Sequence, residues 1–167
     1  MIELRIRPPE PGDGAGIALA WCDFAEYYRE IDPESFRSPR RDGLDAWLEG
    51  GLLAGGDDRF ARVADLGGDA IGFVAAKFMR PHEDADRQPV REVTLPRVFV
   101  NALAVQRRHW RSGAGTGLMA AVERWAGARE AHLITLDTYA ASPVSVPFYE
   151  RRMGYRRQSI VFTKRLR

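Results

Sequence analysis

The stretch QRRHWRSGAGTG, residues 106–117, carries three glycines and three arginines within a dozen positions. It follows an almost uncharged strand-like run and precedes an amphipathic one, so it reads as a turn that opens a helix. Such a turn presents unpaired backbone N–H groups and the positive end of the helix dipole, which suits a phosphate or pyrophosphate. Gly113, Gly115 and Gly117 let the backbone come close, and Arg107, Arg108 and Arg111 add charge-assisted donors for phosphate oxygens. The Lys-Ser/Thr pair of a P-loop is absent, and taken alone the stretch also reads as a tight strand-to-helix connection. Other reactive side chains are scarce. Cys22 is the single cysteine, which excludes an internal disulfide and a zinc motif, and His82, His109 and His132 lie far apart, so no metal is expected.

The elements around this loop follow from periodicity. Leu4 and Ile6 alternate with charged neighbours up to Pro8-Pro9 and predict a short strand. Asp13 is placed to cap a helix in which Ile17, Leu19, Ala20, Phe24 and Tyr27 or Tyr28 recur at helical spacing, with Asp32-Pro33 as its end. A second helix is predicted from Asp42 to Leu53, with Leu44, Trp47 and Leu48 on its buried face. Strands over 59–66 and 70–79 are joined by Gly67-Gly68-Asp69 as an antiparallel hairpin, and the polar residues 80–96 form a loop. RVFVNALAV (97–105) has the composition of a central strand covered on both faces. A helix bearing Leu118, Met119, Val122, Trp125 and Ala126 on one face then leads to a buried strand at 132–138. A short helix over 142–153, a left-handed stop at Gly154 and a closing strand over 158–166 complete the chain. Strand, helix and strand in succession near the middle require part of the sheet to be parallel, so the fold class is α/β.

Together the runs FVNALAV, WRSGAG, TGLMAAVERWA, HLITLDT and SPVSVPFYERRMGY, in this order, resemble the signature of the GNAT-type N-acetyltransferase superfamily. The resemblance is close over about a third of the chain, and the order of the flanking elements extends it to nearly all of it. It implies a mixed, mostly antiparallel sheet with a parallel central pair splayed at the CoA site and helices on both faces. It also implies acetyl-CoA as cosubstrate, its pyrophosphate on the loop Trp110, Arg111, Ser112, Gly113, Ala114, Gly115 with Thr116 and Arg108 beside it, and Ser142 among the CoA-binding residues. Pantetheine is then expected along Leu103, Ala104 and Val105, with the acetyl carbonyl at a backbone N–H near Leu103, a preorganised donor for the charge of a tetrahedral intermediate. Tyr149 matches the family tyrosine that protonates the leaving thiolate, and a phenol with a pKa near 10 is a competent donor.

The chain departs from the pattern at several positions. Trp110 stands where relatives carry Gln or Arg, Ser142 replaces Asn and Ser145 replaces Ala, with Ser145 the preferred cap because it keeps Pro147 in the first turn. Where many relatives place a glutamate on the central strand, this chain has Phe99 and Asn101, so Asn101 takes the catalytic position without being a base. Candidate bases are Asp23, Glu26, Glu30 and Asp32 and, in the loop, Glu83, Asp84 and Asp86; Asp137 reads as structural. Those acids, with Trp21, Tyr27, Tyr28 and Phe36, make a plausible pocket for a cationic small-molecule or peptide amine. An acyl-CoA-binding sensor without turnover is the alternative.

Composition bounds the remainder. With 167 residues, 45% of them hydrophobic and 29% charged, the chain is expected to form a single GNAT-type domain over 1–167. A net charge of +2 gives no global reason for a nucleic-acid or membrane partner, and homodimerisation stays open. The run MIELRIRPPEPGDG has no signal-peptide character, so cytoplasmic residence is the expectation.

Overall fold

A computed structural model describes residues 3–166, which fall into two compact units, Met1–Asp137 and Thr138–Arg167. In the first unit the elements run β1 (Leu4–Arg7), α1 (Gly14–Ile31), α2 (Leu44–Leu53), β2 (Arg59–Leu66), β3 (Asp69–Met79), β4 (Arg97–Val105), α3 (Ala114–Ala128) and β5 (Leu133–Leu136). The strands form one sheet in the order β1-β2-β3-β4-β5. Every pairing is antiparallel except β4 with β5, where the α3 crossover brings the chain back in the same direction. This is the α/β sheet that the resemblance implied, with its parallel pair at β4 and β5.

Helices cover both faces. Val63 of β2 joins the cluster of Ile17, Ala20, Leu44, Leu48 and Phe73 under α1 and α2. Phe60, three residues away on the same strand and therefore on the other face, stacks on Trp125 of α3 with ring centroids 4.9 Å apart. Helix α1 lies directly on β3 at Gly16, where a Cβ would sit 2.0 Å from the Ala70 carbonyl oxygen. The Gln106 side chain fastens the same junction, donating to the carbonyls of Gly16 (3.1 Å) and Ala70 (3.0 Å).

Several expectations change once partners are visible. Asp13 is the residue before α1, but its carboxylate accepts from Arg7 and from the Glu10 N–H instead of capping the helix. Glu49 of α2 caps α1 in its place, accepting from Gly12 N–H (3.0 Å) and Gly14 N–H (2.7 Å). Trp47, predicted to be buried, is 68% exposed because it lies at the border of the Leu44 and Leu48 stripe, and Leu19 is also largely exposed. Gly117 packs α3 against Ile6 of β1, where a Cβ would meet the Ile6 side chain at 3.1 Å. Its small size serves helix–strand packing.

In the second unit, α4 (Ser145–Pro147) continues into a π-helical turn over Phe148–Arg152, closed by the Met153 N–H on the Phe148 carbonyl (3.0 Å). Ser145 is the first helical residue, not the cap, and its N–H donates to Ser142 Oγ at 3.0 Å. Gly154 has φ of +75°, the left-handed stop expected there. The predicted strand over 158–166 does not form: Ile160, Val161 and Phe162 are about 80–90% exposed and pair with no strand among the described residues. β-branched and aromatic residues supply strand propensity, but a strand exists only where an edge is there to pair with it.

Candidate active site

The central feature is the point where β4 and β5 part. β5 pairs with β4 only along Arg97–Val100, while β4 continues to Val105. The parting coincides with a bulge: Ala76 of β3 faces Val100 and Ala75 faces Ala102, leaving Asn101 as the extra residue. Beyond it, Gln106 N–H donates to the Ile71 carbonyl at 2.8 Å, so by alternation Ala104 and Ala102 direct their backbone groups to β3. Leu103 and Val105 therefore turn their N–H and C=O groups to the side that β5 has vacated. Ala104, 4% exposed, places its methyl group in the core. Asn101 is exposed at the bulge itself.

From this open edge the chain enters the glycine-rich loop. A single 3-10 turn (Arg107–His109) is followed by two left-handed residues, Arg111 at φ of +65° and Gly113 at +90°. A Cβ built on Gly113 meets nothing within 4 Å, so the position faces open space at the start of α3. Ala114 N–H donates to Ser112 Oγ (3.3 Å) and Gly117 N–H to the Gly113 carbonyl (2.9 Å). The N–H groups of Gly115 and Thr116 have no acceptor among the described residues, and α3 directs its positive end there. Arg108 leans on Gln106 Oε1 at 3.1 Å, and Arg111 forms no ion pair among the described residues. An open edge of β4 running into free helix N–H groups, with two guanidinium groups beside them that carry no ion pair, fits an extended molecule with an anionic end.

The loop is held from α1 by a stripe that the sequence reading divided among other roles. Asp23, Tyr27 and Glu30, spaced i, i+4 and i+7, share one helix face. Asp23 accepts from Arg107 N–H at 2.7 Å, Glu30 forms two bonds with the Arg107 guanidinium at 2.8 and 3.0 Å, and Tyr27 meets the Trp110 ring edge-on at 5.0 Å. The bond to Arg107 holds Glu30 below the usual carboxylate range and Arg107 above its ordinary value. Arg107 is thus a loop anchor and not one of the expected phosphate donors. Glu26 is likewise engaged, by Ser38 and by Arg29 at 2.7 Å, and lies below its ordinary value for those reasons in that order. In the 80–96 loop, Asp84 pairs with Arg87. The i, i+4, i+7 spacing in α1 was a visible signal for this clamp.

Trp110 also finds its place here. Its indole Nε1–H donates to the Val105 carbonyl at 2.8 Å, so the side chain folds back beneath the loop and ties it to the end of β4. Trp110 has thereby exchanged a reaching polar side chain for a brace. The backbone N–H groups of the loop keep their direction.

Beside α1, a cavity of about 660 Å³ is walled by Trp21, Phe24, Phe36 and Trp47, with Arg37, Arg40 and Asp42 among its lining residues. Trp21 and Phe24 stack at 5.2 Å and pack on the same core cluster as Ala102 of β4. In the second unit, Tyr149 is the second residue of the π-helical turn, edge-on to Phe148 at 5.1 Å and near Tyr155 at 6.0 Å. Glu150 beside it pairs with Arg157, which draws the carboxyl below its ordinary value.

Solved structures share this architecture. A mutant of the BH1408 protein from Bacillus halodurans is 17% identical, with 98% of this chain and 99% of that chain covered at a TM-score of 0.79. The aminoglycoside N-acetyltransferase AAC(6')-Iy in complex with CoA is 19% identical, with 100% and 97% covered at 0.65. A putative acetyl transferase from Pyrococcus furiosus is 22% identical, with 98% and 100% covered at 0.62. No curated protein sequence matches the chain. A model of the acetyltransferase (GNAT) family matches residues 19–155, most of α1 through the π-helical turn and Gly154, so the chain belongs to the GNAT acetyltransferase family.

Proposed function

We propose that this protein transfers the acetyl group of acetyl-CoA directly to a primary amine of a small molecule or peptide. The observation that carries this reading is the continuous path from the Leu103 backbone and the Val105 N–H, which β5 leaves without a strand partner, to the free N–H groups of Gly115 and Thr116. Pantetheine amides complete the sheet edge that β5 leaves open, and the pyrophosphate takes the loop, with Arg108 and Arg111 beside it. Membership of a family of acetyltransferases and a fold neighbour crystallised with CoA support the choice of cosubstrate.

In the reaction the amine nitrogen attacks the thioester carbonyl carbon while Leu103 N–H stabilises the developing oxyanion. The C–S bond then breaks, and the CoA thiolate takes its proton from the Tyr149 phenol. The ammonium gives one proton to solvent before it attacks, and the nitrogen of the tetrahedral intermediate gives a second to water, which Asn101 orients at the bulge, because a carboxamide can hold water without accepting a proton. Cys22 is 6% exposed in the core, so it is not the nucleophile and no acetylated enzyme intervenes. The acceptor arrives as a cation, met by the aromatic faces of Trp21, Phe24 and Trp47 and by Asp42, since α1 has committed Asp23, Glu26 and Glu30 elsewhere. Residence in the cytoplasm, where acetyl-CoA is plentiful, accords with this chemistry.

The test is calorimetry with acetyl-CoA followed by thiol release across a panel of amines. Saturable binding and amine-dependent release are expected. Binding without release for any amine would leave only a CoA-binding role, and absence of binding would overturn the reading.

A further inference from the structure

The cavity beside α1 combines an aromatic wall with unpaired cations. Trp47, at 68% exposure, is a large apolar side chain left in solvent at the border of the buried face of α2, and with Trp21, Phe24 and Phe36 it forms an aromatic wall. On the same cavity lie Arg37 and Arg40, whose guanidinium groups form no ion pair or hydrogen bond among the described residues. Arg7 is matched with Asp13 and Asp65, Arg29 with Glu26, Arg107 with Glu30, and Arg129 with Asp58, whereas Arg37 and Arg40, like Arg111, form no ion pair among the described residues. The one carboxylate on the cavity is Asp42, so the two unmatched cations outnumber it.

We infer that this cavity selects an acceptor with an apolar, ring-sized body, an amine, and an anionic group that Arg37 and Arg40 bind. This deepens the proposed acetyl transfer and rests on it. The chemistry is that of a zwitterion. The guanidinium pair takes a carboxylate or phosphate through charge-assisted bonds, the aromatic wall takes the body, and Asp42 favours the ammonium form in which the amine arrives. A polycation lacking an anion would place like charges against Arg37 and Arg40 and is selected against.

Four aromatic amines of similar size separate the elements of the proposal: L-phenylalanine carries a carboxylate, O-phosphotyramine a phosphate, and L-phenylalaninamide and tyramine no anion. Binding is read from tryptophan fluorescence in the CoA-saturated protein, where no acetyl group can be transferred, and turnover from thiol release with acetyl-CoA. One or both anionic compounds should bind at least about tenfold more tightly than the pair without an anion, and which of them does so identifies the anion. In the Arg37→Gln/Arg40→Gln protein that preference should fall by about 10- to 100-fold, as expected for charge-assisted bonds, while the affinity for acetyl-CoA is unchanged. Equal binding of all four compounds, tighter binding of the pair without an anion, or an unchanged preference in the double variant would overturn the inference. Selective binding of the anionic compounds without thiol release would uphold the subsite and instead remove the acetyl-transfer reading.

Discussion

At the scale of single residues, Tyr149→Phe keeps the ring and its packing on Phe148 but deletes the phenolic proton. With a thiol-release assay limited by chemistry, kcat should fall by about 10- to 1000-fold, the range for one lost acid catalyst, while the affinity for acetyl-CoA stays constant. Turnover at the wild-type rate would remove Tyr149 from the mechanism. Gly113 offers a second comparison. Gly113→Ala brings only the strain of a side chain at φ of +90°, about 1–2 kcal/mol of stability, because its Cβ meets no atom. Gly113→Asp adds a carboxylate where the pyrophosphate is expected and should raise the acetyl-CoA Kd by at least about 100-fold in calorimetry. Equal affinities for the two variants would move the phosphate site elsewhere. The glycines could be read from residue type and spacing, whereas the roles proposed for Tyr149 and for Leu103, Ala104 and Val105 came through the family resemblance. Trp110 could not, because its indole partner is a carbonyl and any of several would have satisfied it equally from sequence alone.

At the scale of elements, the site depends on how α1 and β5 meet the sheet. Gly16→Ala would place a methyl group 2.0 Å from the Ala70 carbonyl oxygen, so α1 must move away from β3 and from the Gln106 clamp. Chemical denaturation should show a loss of at least about 3 kcal/mol, an overpacking effect against rigid backbone. A midpoint equal to wild type would mean that the helix is not seated as described. The strand bounds at 59–66 and 97–105 were legible because local alternation and turn residues set them. That β5 would stop pairing after Leu136 was known only through the family resemblance, since hydrophobic pattern marks a strand but not where its neighbour departs. The segment 158–166 shows the converse. It has the β-branched and aromatic residues of a strand, yet its apolar residues stay exposed.

For the whole molecule, stability has an electrostatic centre at Arg7, which joins β1 to Asp13 before α1 and to Asp65 of β2, each at 2.8 Å. Asp13 lies below its ordinary value chiefly because of the bond from Arg7, and Asp65 because of Gly68 N–H and then Arg7. A depressed folded-state carboxylate contributes its full stability above the unfolded value near 3.9 and loses it as pH falls through the folded value. Acid unfolding is therefore expected to set in below about pH 4. Arg7→Met leaves two nearly buried carboxylates without their cation and should cost on the order of 3 kcal/mol at pH 7, with the gap to wild type narrowing as the acids protonate. Parallel stability curves for the two proteins between pH 7 and 3 would refute this linkage. The sequence by itself determined the elements up to β5 and the glycine-rich loop opening α3, because these follow from backbone constraints and periodicities spanning at most a few tens of residues, and the family, through motifs in a fixed order. Only the tertiary structure decided which charges were free: Arg107 is held by Asp23 from 84 positions away, and Glu49 caps α1 from 35. Arg37 and Arg40 are left unmatched on an aromatic cavity. Pairing and burial are properties of neighbours in space, and a local pattern carries no record of which distant group will arrive to satisfy it.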